Sequence, residues 1–255
     1  MRQKIKIPSW IEPWLRSKPE ALVFGLLPQL LMQLMSRYFR LKIEGLEHVP
    51  RRGAVIIAAN HSGFAGLDAM LLSHEIRQAT GRQPRVLTHF AWFLSKLTAS
   101  PAQKMGFVEA NMANGLSVLR KNQPVIIFPE GEHGNFKVSL KAYDLQEFKR
   151  GFVRMALTTG APIVPVLIIG AEESQINLRQ LNFGRRWRNL VLPLPLNFLP
   201  LPSKWRIKFL PPVRLPYPAA SAQDNNLARE IAEDLREQMQ KVLNEELKNR
   251  DSVYF

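Results

Sequence analysis

The segment Ala58-Ala59-Asn60-His61-Ser62-Gly63-Phe64-Ala65-Gly66-Leu67-Asp68 holds a histidine and a carboxylate seven positions apart. Histidine, with an unperturbed pKa of about 6.5, suits general-base work at neutral pH. A carboxylate against its second ring nitrogen would fix the tautomer and stabilise the protonated ring. In an unbroken helix His61 and Asp68 would share a face yet lie about 10 Å apart along the axis, too far to hydrogen-bond. Contact needs the intervening residues to loop back, and Gly63 and Gly66 permit that because glycine adopts backbone angles closed to other residues. Two readings stand side by side here: a base with its partner, or an aspartate that caps the next helix beside an unrelated loop histidine.

Two further groups could act with the first. Phe128-Pro129-Glu130-Gly131-Glu132 follows an apolar run and would put a carboxylate and exposed backbone at the same sheet edge as His61. Phe148-Lys149-Arg150-Gly151-Phe152 sets two cations near a helix start, where free backbone N–H groups favour a phosphate. Ordinary surface charge would look the same.

The elements that must position these residues follow from hydrophobic pattern. Val55 to Ala59, Pro124 to Phe128 and Ile163 to Ile169 are continuous apolar runs that read as buried strands. Arg85 to His89 and Trp205 to Leu210 read as further strands, and Asp68 to Gln78, Asn111 to Lys121 and Phe148 to Thr159 as helices, the first capped by Asp68 and closed by Gly81. Residues 191–218 are rich in proline and are expected to be extended or turn structure. Leu227, Ile231, Leu235, Met239, Val242, Leu243 and Leu247 keep helical spacing, so residues 224–250 form an amphipathic C-terminal helix capped near Asp224. The expected fold class is α/β, a central and mostly parallel sheet flanked by helices, over residues 41–255.

Residues 1–40 stand apart as an N-terminal helical segment for the membrane interface. The uncharged run Ala21 to Met35 is 15 residues long, short of the roughly 20 that a spanning helix needs. Trp10, Trp14, Arg16, Lys18, Arg37 and Arg40 flank it, as suits a headgroup region. The formal net charge of +14 calls for an anionic partner. No RNA-binding aromatic signature or zinc finger occurs, so nucleic acid is set aside. The chain has no cysteine, which excludes disulfides, thiolate metal sites and a thiol nucleophile.

In order along the chain, Asn60-His61 followed by Asp68, then Phe128-Pro129-Glu130-Gly131, then Gly151-Phe152-x-Arg154-x-Ala156 and Ala161-Pro162-Ile163-Val164-Pro165-Val166 resemble the glycerolipid and lysophospholipid acyltransferase superfamily over about residues 41–215. The commonest motif of that family has four residues between His and Asp; six stand here. That spacing is similar to the branch of bacterial acyltransferases related to monoacylglycerol and diacylglycerol acyltransferases. The resemblance implies that His61 is the catalytic base with Asp68 as its partner. It implies that Phe128, Pro129, Glu130 and Gly131 help to form the acceptor site, and that Pro162 and Pro165 shape the neighbouring strand. It also implies a hydrophobic channel for the acyl chain and direct transfer with no metal or cofactor. The donor would be acyl-CoA or acyl carrier protein, and the acceptor a hydroxyl of a lysophospholipid or other glycerolipid. Backbone N–H groups around Gly63 to Gly66 are candidates to hold the oxyanion.

Two positions depart from the pattern. Glu132-His133 stands where the family has Thr-Arg, and Met112 stands at the arginine of the second block. The cations that could take over a phosphate are Lys137, Lys141, Lys149, Arg150 and Arg154, with Lys149 and Arg150 foremost. Rival readings are an acyl-thioesterase and a non-catalytic lipid-binding protein of the same fold. The expected location is the cytoplasmic face of a membrane, the bacterial inner membrane, as a peripheral protein.

Overall fold

Val55 to Ala59 offers no polar side to water, so it is stable only where both faces are covered. The structure, a computed structural model, describes residues 19, 22–62, 66–182 and 191–254. In it this run is strand β2 (Val55–Ala59), wholly buried at the centre of a seven-stranded sheet. In chain order the elements are a π-helical turn (Leu22–Leu26), α1 (Leu27–Tyr38), β1 (Lys42–Glu44), β2, α2 (Leu67–Thr80), β3 (Arg85–Thr88), α3 (Lys96–Lys104), β4 (Phe107–Glu109), α4 (Met112–Arg120), β5 (Pro124–Ile127), α5 (Gly151–Thr159), β6 (Ile163–Ile169), β7 (Asn177–Asn182), β8 (Val191–Pro195), β9 (Arg206–Phe209) and α6 (Asn225–Lys248).

The sheet order is β1-β9-β6-β2-β5-β3-β4. All pairings are parallel except β6 with β9, which is antiparallel. The register sets Ala58 beside Ile127 on one side and beside Pro165 on the other. The chain therefore leaves β2 and β5 at neighbouring points on the same edge, where open α/β sheets bind ligands. Two apolar layers cover the sheet: α5 and α6 on one face, α2 with the end of α1 on the other. Each fully buried Ile or Leu in them stabilises the fold by about 1.5–3 kcal/mol relative to exposure.

Most expected elements are present with trimmed ends. The expected cap on α2 is not. Gly66 occupies the capping position in the left-handed region (φ 70), and Asp68 is the second residue of the helix, its carboxylate bonded to the Ala69 N–H of the first turn and to His61 and Ser62 before the helix. Helix α5 begins at Gly151 rather than Phe148, which leaves Lys149 and Arg150 just ahead of it. Asp224 does cap α6, accepting from the N–H groups of Asn226 and Leu227. The proline-rich stretch holds two extended strands, β8 and β9.

Residues 1–18, 20 and 21 lie outside the described residues, and with them Trp10, Trp14, Arg16 and Lys18 of the expected membrane segment. Helix α1 buries Met32 and leaves Leu27, Leu30, Leu31 and Leu34 exposed. The next residue after it, Phe39, is fully buried and stacks on Trp205 at 4.5 Å. Among the described residues no helix is long and apolar enough to cross a membrane.

Candidate active site

Asn60 follows the apolar run of β2 and is completely buried. Its side chain completes the ladder to β6, donating to the Ile168 carbonyl at 2.9 Å and accepting from the Ile168 N–H at 2.7 Å. An asparagine left unpaired there would be costly, so this exchange fixes where the chain departs from the sheet.

His61 is the next residue. Its Nδ1 lies 2.6 Å from Asp68 Oδ2. The same oxygen accepts from the Ser62 N–H at 3.0 Å, and Oδ1 accepts from the Ala69 N–H at 2.8 Å. Asp68 is fully buried at the start of α2, so two backbone donors and the helix dipole stabilise its charge as an anion. With Nδ1–H donated to Asp68, the basic lone pair of the neutral ring is on Nε2. No hydrogen bond to Nε2 is found among the described residues. The ring stacks on Phe128 at 4.1 Å and 24° and keeps 15% of its side chain exposed. The contact that spacing alone left open is therefore made, and Gly66 supplies the turn. Gly63 lies outside the described residues.

The wall opposite is built on β5. Pro129 and Glu130 follow it, and Gly131 takes a positive φ of 62 where an added Cβ would stand 2.7 Å from the Lys149 Nζ. Lys149 is thus laid over Gly131, and its N–H donates to the Pro129 carbonyl at 2.9 Å. Glu130 is almost wholly buried. One of its oxygens accepts from the His61 N–H at 3.0 Å and the other from the Gln146 N–H at 2.8 Å. Its carboxylate therefore holds the backbone of the base in place. Lys137 Nζ lies 3.4 Å from Glu130 and 3.0 Å from Glu172, and donates to the Asp144 carbonyl. Burial pulls this ammonium down, and Glu172 and Glu130 more than offset it, so its pKa lies above the usual lysine value. Burial pushes Glu172 up to about 7 against the pull of Lys137.

A groove of about 610 Å³ opens beside this wall, lined among others by Glu130, His133, Gln146, Lys149, Arg150 and Arg154. Of the five cations expected to replace the missing arginines, three line it. Lys137 does not; its charge is spent on two buried carboxylates. Lys141 is not among the lining residues. Met112 packs against the core, and Glu132 stands 3.6 Å from His89 Nε2. A smaller cavity of about 30 Å³ is lined by Ser62, Asn135, Lys137, Gln175, Pro193 and Pro195, among others. Among the described residues no group of three or more His, Asp or Glu side chains could hold a metal ion.

A sequence model of the acyltransferase family matches residues 40–169, a span that carries His61, Asp68, the Phe128–Gly131 turn and the Lys149-Arg150 pair. The chain belongs to the acyltransferase family. This acyltransferase is 34% identical to an uncharacterized protein of Mycobacterium tuberculosis over 89% of its own length and 67% of that protein's. It is 26% identical to a 1-acyl-sn-glycerol-3-phosphate acyltransferase of Bacillus subtilis over 65% of this chain and 80% of that one. The solved structure of the 1-acyl-sn-glycerophosphate (LPA) acyltransferase of Thermotoga maritima superposes with a TM-score of 0.61 at 17% identity, covering 93% of this chain and 86% of that one, which shows the shared fold.

Three residues of the candidate site hold places the sequence did not assign: Asn60 is the strand-end anchor, Glu130, expected in the acceptor site, clamps the His61 backbone, and Lys137, expected to be a phosphate cation, is a buried counter-ion. A polar residue placed directly after a wholly apolar strand was the available signal for Asn60. Nothing in the local sequence told Lys137, paired with two buried carboxylates, from the exposed cations it was grouped with.

Proposed function

We propose that this acyltransferase moves a fatty acyl group from an acyl thioester, acyl-CoA or acyl carrier protein, to a hydroxyl of a lysophospholipid. His61 Nε2 takes the hydroxyl proton as that oxygen attacks the thioester carbonyl. The tetrahedral intermediate collapses, the C–S bond breaks, and the thiolate leaves with the proton carried by the imidazolium. Asp68 holds the ring in the reactive tautomer and stabilises its charged form. The observation that carries this reading is the 2.6 Å contact of His61 Nδ1 with a fully buried Asp68, which leaves Nε2 as the base. The acceptor phosphate is assigned to Lys149 and Arg150 in the groove beside Glu130, in place of the cations lost at Met112 and His133. The N-terminal segment and α1, with its exposed leucines, would hold the enzyme to the cytoplasmic face of a membrane as a peripheral protein.

An acceptor screen tests this reading. Purified protein is given radiolabelled acyl-CoA or acyl carrier protein with lysophosphatidic acid, other lysophospholipids, monoacylglycerol, or water alone. Acylated lysophospholipid is the expected product. Release of free fatty acid at the same rate with and without acceptor would mark a thioesterase. No turnover of either donor would leave a lipid-binding protein.

A further inference from the structure

Strands β7 and β8 form a separate two-stranded antiparallel ribbon. Its faces are inverted. On the ribbon and just beyond it, Leu178, Leu194, Leu196 (62% exposed), Phe198 (76%) and Leu199 (84%) point to solvent. The prolines Pro193 and Pro195 and the amides turn inward. A soluble ribbon ordinarily does the reverse, because alternation buries its apolar side. The arrangement is held by specific bonds and is not a loose end. Asn177 donates to the Phe136 and Lys137 carbonyls and accepts from the Leu194 N–H. Its own N–H reaches Ser139 Oγ, and Gln180 donates to the Phe136 carbonyl. The polar residues thus pin the ribbon to the loop after Gly131, and the leucines are presented outward. Leu140, wholly exposed, sits on the same pinned loop.

We propose that the outer face of this ribbon is a second lipid-docking surface, and that its occupant is an anionic bilayer. Charge favours a membrane over a second copy of a chain that carries a formal +14. Arg179 is exposed on β7, opposite Leu194 in the ribbon register, and sets a cation beside the outward leucines and Phe198. Apolar side chains with aromatics and arginines match the acyl–headgroup boundary of a bilayer. The surface also meets α1 at one end: the Tyr38 hydroxyl donates to the Pro200 carbonyl and Arg40 to that of Pro202. Its inner side, through Pro193 and Pro195, lines the cavity that Ser62 lines, next to His61. The docking surface does not rest on the acyl-transfer reading.

The test uses the full-length protein and two variants, Leu196→Ser/Phe198→Ser and Arg179→Glu. Binding to vesicles of phosphatidylcholine, with and without an equal part of phosphatidylglycerol, is measured by sedimentation. Turnover is measured on a water-soluble short-chain lysolipid, and mass by light scattering. The double variant should weaken vesicle binding about tenfold or more, since two large apolar side chains no longer enter the bilayer. Its soluble turnover should stay at the wild-type level. Arg179→Glu should weaken binding to the phosphatidylglycerol vesicles alone, and that loss should fade in high salt. Vesicle affinity within twofold of wild type for both variants overturns the proposal. So does a wild-type dimer that the double variant makes monomeric without change in vesicle binding, which would assign the face to a second copy. If vesicle binding falls in a protein with no transferase activity at all, the docking surface stands and the acyl-transfer reading fails.

Discussion

The two sides of the site are built on opposite plans. On the β2 side the working groups are buried and saturated: Asp68 takes two backbone N–H groups and the imidazole, Asn60 is locked to β6, and Glu130 clamps the His61 N–H. On the α5 side Lys149 and Arg150 are exposed, and they line the groove as solvent-facing cations. A buried, fully bonded group has one geometry, and any change to it is expensive. An exposed cation interacts through solvent and tolerates change. The difference teaches that, on the proposed function, proton transfer would be fixed by the fold, whereas acceptor choice would rest on parts that can be altered cheaply.

His61→Ala should have the largest effect, a loss of about 10³-fold or more in kcat in a protein that still folds. A folded variant with near-normal turnover would end the assignment of the base. Asp68→Asn should follow, with a loss on the order of 10²-fold or more. An amide cannot accept at both of its ends, so one of the bonds from His61, Ser62 or Ala69 must fail. If kcat of the asparagine variant matched wild type across the pH range, the carboxylate would be a structural group only.

On the exposed side the expected effects are smaller and selective. Lys149→Ala with Arg150→Ala should raise KM for lysophosphatidic acid about tenfold and leave monoacylglycerol nearly untouched. Equal changes on both acceptors would remove the phosphate from that groove.

The weakest effect concerns Glu172, inside the buried network. A carboxyl raised from 4.5 to about 7 binds more protons folded than unfolded across that interval. Its stabilising contribution is full below about pH 4.5 and is lost as pH rises through about 7. Glu172→Gln has no such term, so the wild type should lose melting temperature relative to it between about pH 5 and pH 8. Parallel pH curves for the two proteins would show that Lys137 keeps Glu172 ionised throughout.

The sequence carried the parts of this design that depend on local pattern. β2, β5 and β6 are legible because a strand covered on both faces must be apolar throughout, and α6 because its apolar residues keep one face. The chemistry of His61 and Asp68 is legible as residue types, but spacing could not decide their contact, since a helix and a glycine loop give opposite answers over seven positions. What stayed hidden depends on distant partners. Asn60 meets Ile168, 108 positions away, and the His61 N–H meets Glu130, 69 positions away. β7, Asn-Leu-Arg-Gln-Leu-Asn, has the composition of a surface loop, and its pairing with a proline-bearing strand is not a pattern that periodicity reveals.

Strand β9 lies between β1 and β6, and it is the last strand of the sheet to be made. Among the described residues β1 has no other neighbour: Lys42 must wait for Arg206. As the chain emerges from the ribosome, β2, β5 and β6 can pair while both β1 and the far side of β6 remain open. A strand edge left open in this way is an invitation to chaperones or to other nascent chains. A chain cut before Arg206 would therefore lack the strand that covers both β1 and the outer edge of β6.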